Sequence, residues 1–143
     1  MPNPVVSKAS TVWNGDLFTG NGTTSLDSSG AATFPVEWNA RAEGSDTTTT
    51  PEELIAAAHA TCFSMAFSNE LKKNDTPPTE VRTNAEVTFV AGTGITGIAL
   101  TTHATVEGID EATFQKIAEG ARENCPVSQA LKAVEITLEA TLN

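Results

Sequence analysis

From Leu54 to Phe67 the chain reads Leu-Ile-Ala-Ala-Ala-His-Ala-Thr-Cys-Phe-Ser-Met-Ala-Phe, with no charged side chain. A helix start stands in front of it. Thr50 is placed as N-cap, Pro51 at the first helical position and Glu53 at the third, a Thr-x-x-Glu capping box. Lys72-Lys73-Asn74 supplies cations and a stop at the far end, and Pro77-Pro78 prevents continuation. A helix that is apolar on nearly every face belongs in an interior. One chain of 143 residues with about six strands has difficulty covering such a helix on all sides. An intimate homodimer is therefore expected.

The rest of the chain supplies the strands. The first third is strand-like and turn-rich: Val5–Val12, the turn Trp13-Asn14-Gly15-Asp16, the Gly/Asn/Ser/Thr-rich segment 19–30, then Ala32–Val36. Gly20-Asn21-Gly22 has no Walker lysine and no helix behind it, so it reads as turn rather than phosphate cradle. Residues 37–50 show no period and read as loop. After the helix, Val81, Ala85, Val87 and Phe89 alternate with polar residues, and Ile98, Leu100, Thr102, Ala104 and Val106 do the same beyond Gly92-Thr93-Gly94. That is an antiparallel hairpin with one wet face. Asp110 caps a second helix carrying Phe114, Ile117, Ala118 and Ala121 on one stripe. Cys125 precedes Pro126, so it is biased out of the helical region and a fresh helical turn starts at the proline. Val134 to Leu142 alternates as a last strand. The predicted order is βββ-α-ββ-α-β, an α+β fold in a single domain spanning 1–143.

Eight Lys and Arg against eighteen Asp and Glu give a net charge of −10. Nucleic acid and anionic membrane surfaces are thereby disfavoured as partners. The longest aliphatic run, Leu54–Ala58, is too short to span a bilayer, and the first residues do not have the form of a signal peptide. Two cysteines do not make a disulfide scaffold, and a reducing cytoplasm is the expected compartment.

Cys62 lies in the middle of the apolar helix, where a plain core cysteine is one reading. Cys125 stands at a helix start, where unpaired N–H groups lower a thiol's pKa, so local physics nominates it as the better thiolate. In an acidic protein a thiolate needs a local cation. The chain has three arginines: Arg82 on a wet strand face, Arg122 on the second helix as a solvated residue, and Arg41 in an aperiodic segment. His59, Cys62, His103 and Cys125 would together satisfy zinc, but none of the usual close ligand pairs is present and no metal is expected. His59 is expected to be a hydrogen-bonded core histidine.

The segment Thr50–Ala66 closely resembles the helix of the OsmC branch of the OsmC/Ohr thiol peroxidases, and Asn124–Lys132 resembles that branch's second-cysteine motif. Trp13–Asp16, Arg41–Gly44 and Gly108–Asp110 match in order, and His59 with Ser64-Met65 favours the OsmC side. The resemblance implies a cytoplasmic homodimer with shared active sites, antiparallel sheets wrapping two central helices. It implies a peroxidase of oxidative and osmotic stress defence that reduces organic hydroperoxides better than hydrogen peroxide. It needs no cofactor and is reset by a dithiol, for example on a dihydrolipoyl protein. By the resemblance Cys62 is the peroxidatic cysteine, Cys125 the resolving one, Arg41 the activating cation and Glu52 the carboxylate that holds it. That assignment reverses the local ranking of the two thiols. Ala42 departs from the aromatic residue usual after the arginine, which bears on the shape of the substrate pocket.

Overall fold

A computed structural model describes residues 2–143. The chain forms two compact units, Met1–Pro51 and Glu52–Asn143. In the first, β1 (Ala9–Asn14), β2 (Asn21–Leu26) and β3 (Thr33–Val36) make an antiparallel sheet in the order β1-β2-β3. The β1–β2 turn is built by side chains. Asp16 Oδ1 accepts from the Thr19 N–H at 2.8 Å, and Trp13 Nε1 donates to the carbonyls of Gly15 and Asp16 at 3.1 and 3.2 Å. A Cβ at Gly20 would stand 2.3 Å from the Asp16 oxygen, so only glycine fits there. Gly20 thus closes the turn, whereas Asn21 and Gly22, read as turn, are the first residues of β2 and pair with Asn14 and Trp13.

One expectation for this unit fails. The segment read as loop contains a short helix, α1 (Trp38–Glu43), and Arg41 sits in its last turn rather than in a loop. Six residues are fewer than two turns, too short for a period to register, and Glu37 caps the helix without a side-chain hydrogen bond. Trp38 meets Phe18 edge to face, the rings 6.1 Å apart, which seats the start of α1 on the β1–β2 connection.

The second unit opens with the long helix α2 (Pro51–Lys73), Glu52 and Glu53 in its first turn and Lys72 and Lys73 in its last, matching the helix dipole at both ends. The hairpin β4 (Pro78–Val90) and β5 (Gly94–Val106) follows, then α3 (Glu111–Asn124), α4 (Pro126–Ala130) and β6 (Glu135–Leu142). The hairpin is antiparallel and its alternation is as read: Arg82, Asn84, Glu86 and Thr88 are exposed. β6, however, joins β5 in parallel, Ile98 opposite Ile136 and Leu100 opposite Leu138. The sheet β4-β5-β6 is therefore mixed, where antiparallel sheets were expected. The cause is the helical crossover: α3 and α4 carry the chain back to the end of the sheet from which β5 set out, and a strand leaving from there runs parallel.

α2 and α3 pack on one face of this sheet. Phe63, Phe67 and Leu71 recur every fourth residue on α2, and Phe114, Ala118 and Ala121 come from α3. Phe67 stacks with Phe63 and Phe114 at ring separations of 5.4 Å each. Fully buried Thr102 in β5 is satisfied by a polar chain, Ser64 Oγ to Thr83 at 2.8 Å, Thr83 with Thr102 at 3.1 Å, and Thr102 to the Arg82 carbonyl at 3.1 Å. Asp110 caps α3 as expected, accepting from the Thr113 N–H at 3.0 Å. The reading of α2 as buried on every side holds for only part of its surface. Within one chain Ala57, Ala58, Thr61 and Met65 form an exposed stripe, Met65 at 68%.

Candidate active site

Cys62 and Cys125 meet, although 63 residues separate them. α2 carries Cys62 at its mid-length, half-buried, one turn after His59. Pro126 ends α3 at Asn124 and leaves Cys125 extended, φ −52° and ψ 127°. Its N–H still closes α3 on the Ala121 carbonyl at 2.9 Å, while its own carbonyl accepts from Gln129 at 3.0 Å and opens α4. The junction turns the Cys125 side chain inward, where it is fully buried. There it neighbours the Cys62 thiol closely enough to act on its ionisation, and both are free rather than bridged.

The electrostatics around Cys62 pull in both directions. Burial pushes the Cys62 thiol above its ordinary 9.0, and the neighbouring Cys125 adds to the rise. Opposing both, the Val127 N–H at the start of α4 points at the Cys62 sulfur and favours its thiolate. The helix start predicted to serve Cys125 thus aims a donor at Cys62. Both thiols lie in the second unit, and an open cavity of about 430 Å³ reaches Cys62 between Met65, Ala66, Asn69, Ala121 and Pro126.

The remaining predicted residues are placed as follows. Glu52 is buried in the first turn of α2. Ten residues of the same helix separate it from Cys62, about 15 Å along the axis, so it does not stand beside the thiol of its own chain. Arg41 belongs to the first unit, on α1. Arg82 is engaged by Glu80 at 2.7 Å on the exposed sheet face. Arg122, expected to be a plain solvated residue, instead ties α3 to β6: it donates to the Ile136 carbonyl at 3.1 Å and pairs with Glu119 through Nε at 2.7 Å. His103 is exposed in β5, and among the described residues no three His, Cys, Asp or Glu side chains gather as a metal site.

Two participants escaped the sequence reading, the Val127 N–H and Ser128. His59 is fully buried and its Nε2 lies 2.7 Å from Ser128 Oγ, itself 4% exposed. Burial alone pushes the imidazole below its ordinary 6.5. His59 is thus the hydrogen-bonded core histidine expected. The available signal was a matched offset: His59 precedes Cys62 by three residues and Ser128 follows Cys125 by three.

Residues 44–139 match the model of the family described as "OsmC-like protein". Over 133 residues the chain is 47% identical to Peroxiredoxin OsmC of Escherichia coli strain K12, covering 91% of this chain and 92% of that one. The chain belongs to the OsmC-like family. More distantly, this OsmC-like chain is 32% identical over 96 residues to the organic hydroperoxide resistance protein of Xanthomonas axonopodis pv. citri strain 306, covering 63% and 65% of the two chains. Among solved structures, an organic hydroperoxide resistance protein from Elizabethkingia anophelis superposes with a TM-score of 0.73 at 25% identity over the whole of both chains. An OsmC-like protein from Mycoplasma pneumoniae gives the same TM-score at 14% identity, covering 96% and 97%, which speaks to the α+β fold alone.

Proposed function

We propose that this OsmC-like chain is a cysteine-based peroxidase that reduces organic hydroperoxides to alcohols in defence against oxidative and osmotic stress. The observation that carries the reading is the neighbouring pair of free thiols, Cys62 of which opens on a cavity. The names of its relatives, a peroxiredoxin and organic hydroperoxide resistance proteins, support it.

The chemistry follows from the pair. The Cys62 thiolate attacks the peroxide's terminal oxygen; the O–O bond breaks, a proton joins the departing alkoxide, and Cys62 becomes a sulfenic acid. The Cys125 sulfur then displaces water from that sulfenic acid and a disulfide forms. An external dithiol, such as a dihydrolipoyl protein, reduces it by exchange and is itself oxidised. Because burial and Cys125 both oppose ionisation of Cys62, the single Val127 donor needs help. Arg41 is assigned that task, its guanidinium stabilising the thiolate and the oxygen that gains charge. Glu52 grips the guanidinium in a fork that lysine cannot offer.

The assembly assigned to this chemistry is a cytoplasmic homodimer in which residues 1–143 work as one OsmC-like domain. The exposed stripe Ala57, Ala58, Thr61 and Met65 offers α2 an apolar face for a second α2, and β1 leaves all six of its residues exposed. Glu52 then serves the Cys62 of the partner, since its own lies too far along the helix. Thiol counting tests the reading. Two thiols are expected before, and none after, one equivalent of cumene hydroperoxide. Two persistent thiols would overturn it.

A further inference from the structure

Two contacts join α2 to the α3–α4 junction, and they stand one helical turn apart on both sides: Cys62 with Cys125, and His59 with Ser128. The second is a polar pair sunk in the interior, the imidazole fully buried and the serine 4% exposed. Breaking such a bond leaves two buried polar groups short of a partner, so it is costly to break and holds its elements in a fixed register. What it holds is a short element at a break between two helices. α4 has five residues and begins at the extended backbone of Cys125, a swivel between two helices. The Ala121 carbonyl fixes the Cys125 N–H from the α3 side. Ser128 fixes the swivel from the α4 side by reaching across to α2.

We infer that His59 and Ser128 are positioning residues for disulfide closure, keeping Cys125 aimed at the Cys62 sulfenic acid until it reacts. The inference rests on the peroxidase reading above. Two reactions compete for that sulfenic acid. In one, the Cys125 thiol supplies the sulfur, water leaves, and a disulfide of about 2.05 Å forms. In the other, a second peroxide transfers its oxygen, an alcohol leaves, and Cys62 is lost as sulfinic acid. The first is intramolecular, so its rate depends on how much of the time the swivel presents Cys125 in reach. The second does not depend on α4.

The test measures the partition between these routes in the full chain under excess cumene hydroperoxide. Stopped-flow fluorescence gives the rates of the first step and of closure, and mass spectrometry gives the sulfinic fraction. In Ser128→Ala the ratio of closure to first-step rate is expected to fall on the order of tenfold, as for loss of one buried hydrogen bond. The sulfinic fraction should rise in step. Ser128→Thr, which keeps the hydroxyl, should restore the ratio. His59→Leu, which removes the ring nitrogen, should repeat the defect and decides the matter if Ser128→Ala fails to fold, while an unchanged ratio in His59→Gln, whose amide can keep the bond, agrees with the role. An unchanged ratio in folded His59→Leu and Ser128→Ala, or both rates falling together without rescue by threonine, would overturn the positioning role. Failure of the wild type to lose thiols would instead defeat the peroxidase reading itself.

Discussion

At the scale of single residues, the problem is how a buried thiol becomes a nucleophile. The groups packed around Cys62 raise its pKa on balance, with the Val127 N–H opposing. If Arg41 supplies the missing positive charge, the rate of reaction with peroxide should titrate well below 9 in the wild type. In Arg41→Met the midpoint should rise to 9 or above, measured by stopped-flow from pH 5 to 10. Arg41→Lys should lose on the order of 10²-fold in kcat/KM, because a point charge cannot be held in a bidentate grip. Small Ala42 beside Arg41 should favour bulky substrates, so kcat/KM for cumene hydroperoxide should exceed that for hydrogen peroxide. His59 makes a prediction about stability. Its folded pKa is depressed by burial, so below about 6.5 the unfolded chain binds a proton that the folded chain refuses. Stability should therefore fall as pH drops through that window, by up to about 1.4 kcal/mol per unit. Urea unfolding at pH 7.5 and 5.5 should show a smaller loss in His59→Gln. The cysteines were legible because each stands in a motif of neighbouring residues. Ser128 and the Val127 N–H were not, because their partners lie on a helix more than sixty residues away, and Arg122 was misread because its acceptor is a backbone carbonyl of another strand.

At the scale of elements, what was readable was what repeats. Thirteen alternating residues in β4 and thirteen in β5 announce a hairpin, and the fourfold spacing of Phe63, Phe67 and Leu71 announces a packed helix. α1 is too short to repeat. The direction of β6 has no local signature at all, since an alternating strand reads the same whichever way it lies against its neighbour. The attachment of α2 to the sheet is polar as well as apolar. Thr83→Val should leave Ser64 and buried Thr102 each short of one partner, lowering stability by about 1–3 kcal/mol in chemical denaturation. Phe67→Ala, which empties the space between the rings of Phe63 and Phe114, should cost about 3–5 kcal/mol.

At the scale of the whole molecule, the exposed stripe on α2 is the face assigned above to a second copy in the proposed dimer. Met65→Glu should place charge on that stripe and convert the proposed dimer to monomers in analytical ultracentrifugation. Mixing inactive Cys62→Ser subunits with impaired Glu52→Ala subunits should raise activity above both parents, since one composite site per heterodimer is then intact. The parallel β5–β6 pairing has a consequence of another kind, for the chain while it is being made. The whole segment between Val106 and Glu135, with Cys125 inside it, is a loop until β6 docks, and closing so long a loop is slow compared with hairpin formation. β6 also follows both cysteines in the chain, so Cys62 and Cys125 are translated before the strand that completes the sheet. Until β6 docks, the contacts that bring the two thiols together are not yet secured, and a nascent chain should lose its thiols to peroxide without the ordered pairing expected of the folded one.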